Sequence, residues 1–167
     1  TCDQSLAMFG LDGTVADFCP ASCGTCSTGP VLGCTDAAAV NFDSGADEDD
    51  GSCLFCSGEE DICYGIGLDG QVFFQTDSDL YGFQFNLAEG CEIGIDAEAG
   101  GAAVDSGFSV SGGNAILGFS FSGSFVPAGS GVLLTLTGSY DDPFCFTSIV
   151  SSGAGGVGLE GEFAAPA

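Results

Sequence analysis

The chemistry open to this chain rests mainly on carboxylates, and they are densest between residues 36 and 50. Asp36, Asp43, Asp47, Glu48, Asp49 and Asp50 lie there, with Asn41 among them. Carboxylates, an amide carbonyl and backbone carbonyls are hard oxygen donors of the kind Ca²⁺ takes. The candidate ligands are Asp36, Asn41, Asp43, Asp47, Asp49 and Asp50. Their spacing departs from an EF-hand loop, since the Asp-x-Asp-x-Asp-Gly series and its closing Glu are both missing. A solvated acidic turn is the competing reading. Calcium is favoured because no basic side chain exists to relieve the repulsion among these acids.

Two other chemistries are weaker. Paired carboxylates can hydrolyse glycosides, and Glu89, Glu92, Asp96, Glu98, Asp141 and Asp142 are available, but none sits in a recognisable motif. Cys23-Gly24-Thr25-Cys26 and Cys53-Leu54-Phe55-Cys56 both have C-x-x-C spacing. Redox chemistry at such a pair goes with a βαβ context and a cationic neighbour or helix N-terminus that lowers the thiol pKa. No βαβ pattern is visible and no cationic side chain exists, so structural disulfides are expected. The chain is expected not to be an enzyme.

The charge balance excludes more. The 167 residues include no Lys, Arg or His and 24 Asp+Glu, for a formal charge of −24. Ser-His-Asp and Cys-His relays, Schiff bases and His-ligated zinc are ruled out. Nothing basic can clamp a phosphate or neutralise a nucleic acid, and an anionic membrane surface would repel the chain. The sequence is nevertheless 45% hydrophobic with 15 Phe, which is not the composition of a disordered chain.

Ten cysteines, an even and high number, point to disulfides and an oxidising compartment. The chain opens at Thr1 without Met, which suggests removal of a secretory segment. No apolar run approaches the ~20 residues of a membrane-spanning helix. An extracellular location is expected, free or assembled on a cell surface.

The positioning elements fall into three parts: residues 1–29, 30–63 and 64–167. Residues 1–63 hold eight of the ten cysteines and 12 of the 24 acids. Apolar residues there lack periodicity. Beyond residue 64 short runs alternate with period two, the mark of half-buried strands. The expected strands are 71–76, 80–87, 91–96, 108–110, 115–125, 132–137, 144–150 and 157–163. About eight strands with turns every ~8–12 residues predict an all-β fold whose last part is an antiparallel sandwich.

In 80–87 the pattern puts Tyr81, Phe83, Phe85 and Leu87 on one face, and Leu80, Gly82, Gln84 and Asn86 on the other. In 115–125 it puts Ala115, Leu117, Phe119, Phe121, Gly123 and Phe125 inward, with Ile116, Gly118 and a serine row outward. The phenylalanines are thus expected in the core rather than on a carbohydrate-binding platform. The serine row could meet another subunit or carry O-glycans. Asn41, Asn86 and Asn114 do not begin Asn-x-Ser/Thr sequons. The run 157–163 has two readings: the last strand of its own sandwich, or a strand added to the edge of a neighbouring subunit to build a polymer.

Three resemblances stand beside this reading. Cys19-Pro20-Ala21-Ser22-Cys23-Gly24-Thr25-Cys26 resembles the closing signature of ShK-type toxin-like domains. Residues 1–29 hold only Cys2, Cys19, Cys23 and Cys26, fewer than that family's pattern, and lack its basic residue. The resemblance therefore implies a disulfide staple, not channel block. Gly33-Cys34-Thr35-Asp36, Ala39-Val40-Asn41-Phe42 and Asp49-Asp50-Gly51-Ser52-Cys53 resemble a short motif of secreted surface proteins of aquatic bacteria and algae. Within it, Cys34–Cys53 is the expected bridge, with Cys56–Cys63 closing the linker after it. Tyr81-Gly82-Phe83-Gln84-Phe85-Asn86-Leu87, Ile116-Leu117-Gly118-Phe119-Ser120-Phe121 and Val126-Pro127-Ala128-Gly129-Ser130-Gly131-Val132-Leu133 are similar to cohesin-like β-sandwich domains. Such domains scaffold, adhere and assemble. Cys91 and Cys145 are the only cysteines after residue 64 and are expected to pair.

The expectation is a non-catalytic structural subunit of an extracellular filament or surface assembly, disulfide-stabilised and assisted by Ca²⁺, with further copies of itself as partners. The alternative is an adhesion module for glycans or a protein partner.

Overall fold

The computed structural model describes residues 30–67, 69–138 and 145–166. Cys2, Cys19, Cys23 and Cys26, and the module expected over 1–29, lie outside them. Leu32–Ala167 forms one compact unit.

The fold is all-β and disulfide-rich. In chain order the strands are β1 (Leu32–Gly33), β2 (Glu48–Asp49), β3 (Leu54–Phe55), β4 (Ile62–Ile66), β5 (Gln71–Thr76), β6 (Gly82–Leu87) and β7 (Ile93–Ile95). A short helix α1 (Ala102–Asp105) precedes β8 (Ser109–Ser111), β9 (Ala115–Phe119), β10 (Gly129–Gly138), β11 (Phe146–Ser152), β12 (Gly158–Leu159), β13 (Gly161–Phe163) and β14 (Ala165–Pro166). Two five-stranded sheets result, ordered β13-β4-β5-β10-β7 and β12-β11-β6-β9-β8. Their strands pair antiparallel except β13, which lies parallel to β4.

The core lies between these sheets. Ile62, Tyr64, Val72 and Phe74 from the first meet Phe83, Phe85 and Ile116 from the second. The Tyr64 and Phe85 rings meet edge to face at 4.8 Å between centroids, a favoured geometry for aromatic quadrupoles. A register shift between Val132 and Leu134 lets both Leu133 and Leu134 bury fully.

Three disulfides brace the unit: Cys34–Cys53, Cys56–Cys63 and Cys91–Cys145. Each joins the pair expected from the sequence. Cys53 and Cys56 bond elsewhere rather than to each other, so that C-x-x-C stretch is structural.

The strand expected over 115–125 is shorter, and its faces are reversed. β9 ends at Phe119, and Gly123 turns the chain at φ 76°. Ile116 and Gly118 are buried, while Phe121 is 88% exposed. The reason is Phe83: its ring lies over Gly118, where an added Cβ would sit 2.2 Å from the ring. Only the glycine row can face that ring, so register sends Leu117 and Phe119 to the other side. Leu80 also departs from expectation. It precedes β6, bridges Val126 and is fully buried.

The terminal run 157–163 divides between sheets. β12 pairs with β11, β13 pairs with β4, and β14 then pairs with β3. Within this chain the run pairs with the chain's own strands, as two short strands in two sheets rather than the single last strand expected. The strand β4 was not foreseen, and the division expected after residue 63 falls inside it. The segment before β4 packs on the sandwich: a Cβ at Gly65 would lie 2.6 Å from Val40 and 3.3 Å from Leu54. That segment covers the outward side of β4, where Cys63 is also tied to Cys56.

Candidate functional site

Two surfaces draw the candidate residues together. The first is the acidic loop between β1 and β3. Asn41 is buried and both ends of its amide are engaged: Nδ2 donates to the Ser52 carbonyl at 2.7 Å, and Oδ1 accepts from the Leu54 amide at 2.8 Å. It clamps the loop to the strand that follows.

The neighbouring acids bond local backbone. Asp36 Oδ1 accepts from the Ala38 amide at 2.9 Å, and Asp43 Oδ1 from the Gly45 amide at 2.8 Å. Asp49 uses both oxygens, Oδ1 for the Gly51 amide and Oδ2 for the Thr35 amide and hydroxyl. Asp50 Oδ1 accepts from the Ser52 amide at 2.9 Å. Hydrogen bonds from the Ser52 side chain and backbone hold the Asp50 carboxyl below its ordinary range. These are Asx turns, which Asp favours wherever a loop reverses.

Asp43 and Asp50, with Asn41, also line a cleft of about 540 Å³ whose walls include Phe42, Phe73 and Val132. Asp69 joins them from the β4–β5 turn. Sequence reading missed Asp69, because only the packing of that hairpin against the loop brings it near. Asp36, Asp47 and Asp49 are not among the lining residues. The six candidates therefore divide between the cleft and the rim of the loop. Two cysteine–carboxylate groupings, Cys34/Asp49/Cys53 and Cys56/Cys63/Glu162, are tight enough to suggest a metal site. Their sulfurs are all in disulfides and offer no thiolate, the form that ligates metals.

The carboxylates considered for glycoside hydrolysis have ordinary placements. Glu89, Glu92 and Glu98 are exposed. Asp96 caps a 3-10 turn, its side chain accepting from the Glu98 and Ala99 amides. Asp141 and Asp142 lie outside the described residues.

The second surface is the outward face of the β12-β11-β6-β9-β8 sheet. Pairing fixes its rows: Ser152, Gly82, Phe119 and Ser109 lie abreast, then Val150, Gln84, Leu117 and Ser111, then Ser148, Asn86 and Ala115. Val150 is 58% exposed. Gly82, which has no side chain, leaves a hollow of about 230 Å³ between Gln84, Leu117, Phe119, Val150 and Ser152. Phe121 stands beside it, packed edge to face on Phe119 with centroids 4.7 Å apart. The Ser120, Ser122 and Ser124 hydroxyls form a chain along the neighbouring bend, at 3.0 and 2.9 Å. None of the five strands contains an acid, and none occurs anywhere from residue 106 to 138. The sequence carries that acid-free stretch, but which residues of β9 face outward is decided by the Phe83 ring over Gly118.

Compared with protein families, curated proteins and solved structures, the chain has no match in any of the three.

Proposed function

We propose that this chain is a non-catalytic structural module of an extracellular assembly, braced by its disulfides and joined to its neighbours through the outward face of the β12-β11-β6-β9-β8 sheet. The observation that carries this reading is the contrast between the sheets. Residues preceding β4 cover the outward side of that strand, whereas Val150 on β11 and Phe121, packed on Phe119 just beyond the end of β9, stand exposed at the second sheet. On a chain of charge −24, an acid-free face bearing large apolar side chains is the face suited to contact.

Three disulfides support an oxidising location, and no described helix is long and apolar enough to cross a membrane. Ca²⁺ enters as an assisting counterion: divalent cations at the cleft of Asp43, Asp50 and Asp69 would lower the repulsion between subunits. Sedimentation velocity in calcium and again in EGTA tests the reading. Oligomers in either condition support it, with their loss in EGTA making calcium part of the assembly. A monomer in both, at all concentrations, would overturn it.

One observation favours a second reading, adhesion to a glycan. Phe119 and Phe121 offer rings beside the hydroxyls of Ser120, Ser122 and Ser124. Those rings stand at 82° to each other, however, and do not form the flat platform on which a sugar would stack.

A further inference from the structure

We propose that the occupant of this face is a second copy of the same chain, packed sheet to sheet across a two-fold axis. The proposal rests on the assembly reading and names its partner. In such an interface the same patch serves both copies, so it must present both a projection and a recess that accepts it. The face has both. Phe121 projects at 88% exposure, and the hollow floored by Gly82 lies beside it, rimmed by Phe119 and Val150. A two-fold rotation can bring the Phe121 ring of each copy to the hollow of the other.

Charge selects the same face. Two copies with 24 acids and no base each repel wherever their carboxylates meet. The approach that keeps acids apart is through β6, β8, β9, β11 and β12, which hold none; β4, β5, β7 and β10 of the other sheet hold none either, but that sheet carries Glu162 in β13 and has Asp43, Asp50 and Asp69 around the cleft beside its Phe73 and Val132. A cationic partner would instead be drawn to the acidic loops.

Area sets the strength. With strands ~4.8 Å apart and rising ~3.3 Å per residue, the face offers roughly 400–500 Å² per copy. That is at or below the low end of specific interfaces, about 600 Å² per partner. The contact should be weak, in the micromolar range or above, and should depend on concentration.

Its salt dependence should be opposite to that of an ion-paired interface. Screening relieves repulsion between the acidic flanks, so NaCl should strengthen association. Sedimentation equilibrium of the intact protein in EGTA, at low salt and at about 0.5 M NaCl, reads this directly. A monomer–dimer equilibrium shifting toward dimer with salt is expected. Phe121→Ser and Val150→Asn should each weaken it by roughly tenfold or more. Ser148→Asp should weaken it at low salt and recover at high salt. All three positions are exposed, so an unchanged melting temperature shows that folding is intact.

Association that ignores all three variants would overturn this interface and this face as the contact, leaving only self-assembly through another surface. Association only in calcium would likewise overturn it, in favour of cation bridging. A monomer under every condition would overturn both.

Discussion

The Tyr64 hydroxyl lies 2.8 Å from the Ser151 hydroxyl, a buried hydrogen bond that joins β4 of one sheet to β11 of the other. Each group is the other's partner in an otherwise apolar core. Tyr64→Phe leaves the Ser151 hydroxyl buried without that bond and should cost about 1–3 kcal/mol, as should Ser151→Ala. The double variant should lose less than the sum, because both ends of the bond are then gone. Denaturant titrations of the four proteins check this, and strict additivity would show that the bond carries no coupling.

The same burial sets a pH dependence. Desolvation pushes the Tyr64 phenol well above its ordinary value near 10, and the Ser151 hydrogen bond only partly opposes this. A raised folded-state pKa gives stability that is fully present below pH ~10 and is lost as pH rises past it, because the unfolded chain loses the proton first. Unfolding free energy should fall steeply above pH ~10, and Tyr64→Phe should flatten that fall. Asp50 works in the opposite sense: its lowered carboxyl adds stability above its unfolded value of 3.8, lost as pH falls through the folded one. Asp50→Asn should remove that small acid-side slope.

Gly118→Ala should destabilise strongly. Its Cβ would lie 2.2 Å from the ring of Phe83, which is itself buried and stacks with Phe85 and with Phe108. Overpacking of this kind costs about 1–3 kcal/mol or more. Phe83→Leu should relieve the clash, so the alanine should cost less in that background. Equal costs in both backgrounds would refute the contact.

The disulfides should rank by the loops they close. Loop entropy gives about 4 kcal/mol for the Cys91–Cys145 bridge, about 3 for Cys34–Cys53 and about 2.5 for Cys56–Cys63. Replacing each pair with serines and comparing melting temperatures checks the order. Cys56–Cys63 should be the mildest loss, since its cysteines are only 7 residues apart.

Asn41→Asp separates a clamp from a calcium ligand. The carboxylate would keep an acceptor for the Leu54 amide but lose the donor to the Ser52 carbonyl. A loss of about 1–3 kcal/mol, equal in calcium and EGTA, is expected. A loss rescued by calcium would instead make Asn41 a ligand.

The fold class and the strand 71–76 were legible in the sequence because period-two alternation is a local signal; of the three bridges seen, Cys34–Cys53 followed from the motif it resembles, Cys56–Cys63 from its short loop and Cys91–Cys145 from being the one pair after residue 64. The sequence also settled the absence of any basic group, which is composition alone. Which face of β9 lies inside was not local. Leu117 and Phe119 are as apolar as Ile116, and only the Phe83 ring on the paired strand decides that Gly118 must lie beneath it. The same holds for Asp69 joining Asp43 and Asp50, and for the terminal run dividing between both sheets. Tertiary packing turned Phe121 outward and left a sheet face with no acid in its strands uncovered among the described residues, because a side chain's inside and outside depend on strands distant in sequence.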